Sequence, residues 1–405
     1  MSIQSRITEL AQAIAVDVKK VLPIAPQAGD LAFSANPGRY SLPDWIPCNG
    51  SILDNATAPA SLSDYMVQTS ETNYVADLSV ESLGAAPSGV FDMTNDYVMM
   101  QMAATPFAIP MRVASSGLSY TRESFAVAPS AALKCAALGV SGANIPNVLG
   151  FTTTAGGSFF ARGISSAWSI TNVSSIFTGK TVAGVVFGAD NRFYLLTSTA
   201  PYLHSIDGSV SGATLDDVGG VHASGVGLAI SPNKKYMVSW HSATPFLNVF
   251  EFNGTKYVHI GSPPTSAASY ARVEVSNNGV IVGKPANGSV YHICSVTPSG
   301  GVSGMTLSTV NAATAWGISP DGRWLLSWLS SAMSANPIVN NSVGVATSIS
   351  MYTSAAYGTI AGRFGLIPGK IVTGSSTAAS GYAMVGTVPL TGWMTPRIKN
   401  GFMKT

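Results

Sequence analysis

The sequence predicts a mainly β protein. A seven-bladed β-propeller spans residues 69–400, an amphipathic α-helix over 1–22 and a proline-rich linker over 23–68 precede it, and 401–405 form a tail. Three observations carry this reading. Apolar residues at helical spacing occupy the first turns of the chain. Prolines then interrupt that pattern. Beyond them, a unit of apolar strand, tight turn and apolar strand recurs seven times.

In the first segment Ile3, Ile7, Leu10, Ile14, Val18 and Val21 advance by three or four residues at a time. That places them on one stripe of a helix, with Gln4, Arg6, Glu9, Gln12, Lys19 and Lys20 off it. Ser2 can cap the start, and Pro23 and Pro26 stop the helix. A helix this short is marginal alone in water, so its stripe must pack on something. Because a proline-rich connector follows at once, we expect the stripe to serve as an anchor or oligomerisation surface, with a trimer as the first expectation.

The repeats follow. The clearest copies are Val226–Trp240 and Ala315–Trp328. Aligned on Asn95, Gly142, Asp190, Asn233, Asn278, Asp321 and Pro368, the units are spaced 43–48 residues apart. A period of about 40–45 residues with four strands per repeat marks a propeller blade. Turn chemistry supports the alignment. In Pro320-Asp321-Gly322, proline presets φ, aspartate bonds its own backbone, and glycine takes the closing geometry. Asp96, Asp190, Asn233, Asn278, Asp321, Gly322 and Gly369 are accordingly read as structural turn residues. The first and fourth copies also share what comes next. Thr105-Pro106 leads into Phe107–Val113 and then Leu118–Arg122; Thr244-Pro245 leads into Phe246–Phe252, a type I′ hairpin expected at Asn253-Gly254, and Lys256–Ile260. An open ring would leave two unpaired strand edges. Tyr74–Val80 is therefore expected to pair with Tyr382–Val388.

With Ser319–Gly322 and Ser231–Lys234 at first-hairpin positions, and His222 ahead of Val226, the repeats resemble the WD40-like propeller family. They depart from it in lacking any Trp-Asp strand end. The resemblance implies architecture and no particular partner.

The N-terminus carries a second resemblance. Residues 2–21 resemble the opening helix of bacteriophage tail-fibre proteins. Gly29-Asp30-Leu31 and Leu42–Ser51 resemble the start of the phage tail-collar domain, with Asp44 where that family has glycine and Asn49 where it has aspartate. This implies a virion structural protein, of the tail, neck or a fibre appendage, assembled in the host cytoplasm. Its helix would join other virion proteins, and its propeller would be a candidate to bind a host-surface glycan. The alternatives are a polysaccharide-degrading or other hydrolytic propeller, and a non-viral WD40-like scaffold.

Composition fits a structural role. Only 10% of residues are charged, against about 25% in typical soluble domains. A net charge of +2 without clustered Lys and Arg argues against nucleic acid. No stretch approaches the ~18 apolar residues a membrane span needs. Cys48, Cys135 and Cys294 are expected to be free thiols.

Catalytic signals are thin. His204, His222, His241, His259 and His292 lack metal-ligand spacing, and no G-x-S-x-G elbow is present. We expect no enzyme, metal or cofactor. Asp216-Asp217 is the acidic pair on which a hydrolytic alternative would rest. Trp168, Trp240, Trp316, Trp324, Trp328 and Trp393 are expected mostly in the core between blades.

Overall fold

The computed structural model describes strands at 31–33, 45–49, 52–53 and 67–69, and residues 76–350 and 359–404 apart from 84–86, 95, 114–119, 128, 130, 142–144, 154–156, 211–214, 220–223, 265–268, 286–288, 310–314, 330–331, 345–346, 365–369, 378–379, 388–391 and 395–396. The expected N-terminal helix, with Ile3, Ile7, Leu10, Ile14, Val18 and Val21, lies outside the described residues, as do His222 and Gly369. The chain divides into two units, Met1–Thr69 with Thr391–Thr405, and Ser70–Leu390.

The first unit contains two three-stranded sheets among the described residues. In one, Arg397–Lys404 lies between Leu31–Phe33 and Trp45–Asn49, antiparallel to both. In the other, Gly392–Met394 lies between Ile52–Leu53 and Val67–Thr69. Residues 401–404, expected in a tail, are thus the end of a strand, and the repeats give way after Leu390. The reason lies in backbone pairing: the N–H and C=O groups of this C-terminal stretch are satisfied by the N-terminal segment.

The second unit holds seven antiparallel sheets among the described residues, numbered here in chain order. Sheet 1 is Pro87–Met93, Tyr97–Met102, Ala108–Val113 and Tyr120–Arg122. Sheet 2 is Leu133–Ser141, Ile145–Thr152, Ser158–Arg162 and Ala167–Asn172, with Ser124–Phe125 added parallel to its fourth strand. Sheet 3 is Val182–Phe187, Arg192–Thr197, Leu203–Asp207 and Asp216–Asp217. Sheet 4 is Gly225–Ile230, Tyr236–His241, Leu247–Phe252 and Tyr257–Gly261. Sheet 5 is Tyr270–Val275, Val280–Pro285, Val290–Ser295 and Thr306–Thr309. Sheet 6 is Ala315–Ile318, Trp324–Leu329, Ala332–Val339 and Thr347–Ser350, with Ser342–Val343 beside the third strand. Sheet 7 is Thr359–Phe364, Lys370–Thr377 and Ser380–Thr387, completed from the start of the unit by Ala76–Ser82.

That last pairing is the closure the edge argument demands. Met384 stands opposite Val80 and Val385 opposite Ser79, with both strands displaced by up to two residues from the expected Tyr74–Val80 and Tyr382–Val388. Around the unit, the first strand of each sheet lies against the first strand of the next, and that of sheet 7 lies against that of sheet 1. The close approach is visible at Gly184, where an added Cβ would fall 2.5 Å from the backbone N of Leu228 in the next sheet.

Hydrophobic clusters form between sheets. One joins Tyr97 and Met99 of sheet 1 to Leu138 and Trp168 of sheet 2. Others join Phe151 to Phe187, Tyr194 to Tyr257, Trp240 to Tyr270, and Tyr291 to Trp316, each pair spanning two successive sheets. Trp168, Trp240 and Trp316 therefore fill the space between sheets, as large rings do between twisted layers. Trp168 is fully buried and meets Tyr97 edge-on at 5.4 Å between centroids. Its indole N–H donates to Glu123 Oε2 at 2.6 Å, and Glu123 also pairs with Arg112.

One local expectation is corrected. A type I′ turn at Asn253-Gly254 needs positive φ at both residues. Only Gly254 is left-handed, at φ +95, and Asn253 instead accepts the N–H groups of Thr255 and Lys256 through Oδ1. Asn253 N–H also donates to the Lys256 carbonyl at 3.1 Å, so backbone and side chain close the turn together and its tip is Gly254-Thr255.

Candidate functional site

The first hairpin turns of sheets 1, 3, 4, 5 and 6 contain Asp96, Asp190, Asn233, Asn278 and Asp321. In four of them a hydroxyl at the turn's start does more than the residues singled out from sequence. Thr94 Oγ1 accepts the N–H of Tyr97 at 3.0 Å, Ser231 Oγ that of Tyr236 at 3.0 Å, Ser276 Oγ that of Val280 at 3.0 Å, and Ser319 Oγ that of Trp324 at 3.0 Å. Ser231 and Ser276 are wholly buried. Ser231-Pro232 and Ser319-Pro320 mark two of these four turns in the sequence, where the pattern alone does not single out the hydroxyl.

The turns are also tied to one another. Asn233 N–H donates to Asn277 Oδ1 at 2.8 Å, Asn277 N–H to the carbonyl of Pro320 at 2.7 Å, and Asn278 Nδ2 to that of Asp321 at 3.0 Å. Sheets 4, 5 and 6 are thereby joined turn to turn. Carboxylates staple the first strands below them. Asp92 Oδ2 accepts the N–H of Leu138 in the next sheet at 2.9 Å, and Glu274 Oε2 that of Ile318 at 2.8 Å. Glu274 is buried and also paired with Arg272.

Between these turns lies a cavity of about 360 Å³, walled by Met93, Thr94 and Asp96, by Leu138 and Pro146, and by Pro232, Asn233, Lys234 and Asn277. Lys234 also lines a smaller adjoining space with Asp92, Phe187 and Glu274. Its backbone is left-handed, at φ +60. Its ammonium sits 4.5 Å from the centre of the Phe187 ring, and among the described residues it has no hydrogen-bond acceptor or ion-pair partner. Burial holds the lysine below its ordinary pKa, opposed at longer range by Asp92 and Asp190.

The acidic pair proposed for hydrolysis is arranged otherwise. Asp216 and Asp217 form the short fourth strand of sheet 3, both exposed. Adjacent strand residues point to opposite faces, so their carboxylates cannot face each other across one bond. Asp216 pairs with Arg192, and Asp217 accepts the N–H of Gly219 at 2.8 Å.

His204, His241 and His292 are buried in sheets 3, 4 and 5, whereas His259 is exposed beside Phe250. Lys180 Nζ lies 3.2 Å from His204 Nε2, and Tyr270 Oη 2.9 Å from His292 Nδ1. Burial lowers the pKa of both His204 and His292, with Lys180 adding to the effect at His204. Cys135 and Cys294 are free, and burial pushes each thiol up to about 12. No group of three or more His, Cys, Asp or Glu side chains is placed to hold a metal among the described residues. No described helix is long and apolar enough to cross a membrane.

No family model and no curated protein matches the chain. Solved structures do. Virginiamycin B lyase from Staphylococcus aureus aligns with TM-score 0.50 at 10% identity, over 76% of this chain and 99% of that one. The β-propeller domain of Cps50 (Swd1) from Myceliophteria thermophila aligns with TM-score 0.52 at 7% identity, over 78% and 99%. The fold is mainly β and propeller-like. At such identities the likeness concerns fold alone, and one neighbour carries an enzyme's name while the other does not.

Proposed function

We propose that the chain is a structural component of a bacteriophage particle, in the tail, neck or a fibre appendage. The seven sheets of Ser70–Leu390 act as the seven blades of one closed propeller displayed by an N-terminal anchor. The observation that carries this reading is the order of parts: a stripe of Ile3, Ile7, Leu10, Ile14, Val18 and Val21, then the collar-like stretch Trp45–Ser51, then low-charge repeats. The separation of Met1–Thr69 with Thr391–Thr405 from the repeats is what an attachment module and a display module require. The carboxylates Asp92 and Glu274 are committed to backbone N–H groups of neighbouring sheets, which suits a scaffold better than a hydrolase.

Symmetric assembly would let one short helix act as a multivalent anchor, and a trimer is the first choice. The propeller then faces the host surface, where a glycan is the candidate partner. Mass spectrometry of purified particles tests the reading. The chain should be present at several copies per particle, and its absence from intact particles refutes the proposal.

A further inference from the structure

We propose that the cavity between the first turns of sheets 1, 2, 4 and 5 binds a small, singly charged carboxylate ligand of sugar size, with the Lys234 ammonium as its anchor. This deepens the host-surface part of the reading above and rests on it only for where the ligand comes from.

The backbone is the first argument. At the matching place in sheets 3, 5 and 6 stand Asn191, Gly279 and Gly322, all with positive φ. These are residue types that tolerate the left-handed region, and lysine is not one of them. A lysine kept there is a local cost, and such outliers point to function when the side chain has a task. The second argument is the ammonium itself. Lys234 lines both the cavity and the smaller space beside it, and its ammonium lies over Phe187 with no acceptor among the described residues, although a partly buried ammonium normally finds one. An anion would complete it.

Size and charge then narrow the ligand. A volume of about 360 Å³ lies at the lower end of small-molecule pockets. Asn277 Oδ1 is taken by the Asn233 N–H, which leaves Asn277 Nδ2 as a second donor on the wall. Pro146, Pro232 and Met93 supply apolar surface beside these polar groups, a mixture that suits a sugar ring. Asp92 and Asp96 stand on the same walls as the single cation. A doubly charged phosphate would meet about twice the repulsion from these acids that one carboxylate meets, so a singly charged anion is the better match to a lone ammonium.

Titration calorimetry on the full chain decides the matter, with D-glucuronate as probe and D-glucose and inorganic phosphate as controls. Glucuronate should bind, and both controls should bind at least about tenfold more weakly. Lys234→Met should weaken glucuronate about tenfold or more, the loss of one charge-assisted hydrogen bond. Lys234→Gly should lose binding equally while its Tm stays level or rises, because glycine suits the left-handed turn. No binding of glucuronate by the wild type, or undiminished binding by Lys234→Met, overturns the proposal. A lower Tm in Lys234→Gly, with no binding in the wild type, would make the lysine a packing residue over Phe187. Failure of the virion reading would show separately, as absence from particles with glucuronate binding intact.

Discussion

Ser231 shows how much a single hydroxyl can carry in this fold. It is wholly buried, accepts the N–H of Tyr236 and donates to Asn233 Oδ1 at 2.7 Å. Ser231→Ala leaves a buried N–H without its acceptor and should cost about 1–3 kcal/mol in a urea melt. Titratable residues shape stability differently. His204 and His292 have pKa values lowered by burial, so below the unfolded value of about 6.5 the unfolded chain binds more protons than the native one. Stability should therefore decline as pH falls from 7.5 to 5.5. Cys135 and Cys294 act on the other side. Their thiols hold their protons to about 12 in the fold, while unfolded thiols ionise near 8.5, so stability should also decline above about pH 9. Denaturant midpoints at pH 5.5, 7.5 and 9.5 check both limbs. A His204→Gln, His292→Gln double variant should flatten the acid one.

At the scale of elements, the first strands are packed too closely for side-chain growth. Gly184→Ala would place a methyl against the backbone of Leu228, an overpacking that should cost about 1–3 kcal/mol. The same substitution at Gly254, where φ is +95 and nothing lies within 4 Å, fails for a different reason: the left-handed turn. Sheet 7 is built from both ends of its unit, so its third strand is a structural clasp. Deleting residues 380–387 unpairs Ala76–Ser82 and exposes two edges while leaving Gly392–Met394 and Arg397–Lys404 in the chain. The shortened chain should aggregate or be digested rapidly by limited proteolysis; a soluble chain with one cooperative melt would contradict that role.

For the molecule as a whole, the two units should separate by mutation. Ile7→Asp with Leu10→Asp breaks the expected apolar stripe and changes no residue of Ser70–Leu390. Each buried aliphatic contributes roughly 1.5–3 kcal/mol. The double variant should lose assembly in light scattering and incorporation into particles, yet keep the thermal melt of the repeats. Wild type and variant that are both monomeric and equally incorporated would remove the helix as the anchor.

What the sequence by itself determined is the repeat. Strand patterning and turn residues are local, so the hairpins of sheets 4 and 6 were legible residue by residue in Val226–Trp240 and Ala315–Trp328. The pairing of Ala76–Ser82 with Ser380–Thr387 was legible to within two residues, as Tyr74–Val80 with Tyr382–Val388, because an unpaired edge is a general cost. Only the tertiary structure decided what the turns do to each other. That Asp92 and Glu274 reach across to Leu138 and Ile318 depends on residues more than forty positions apart arriving side by side. The same holds for Arg397–Lys404, whose partners lie near the opposite end of the chain. Lys234 is the sharpest case. In sequence it is only the last residue of the turn Ser231–Lys234. Its burial over Phe187, in a cavity walled by several sheets, exists only once the chain has brought those sheets together.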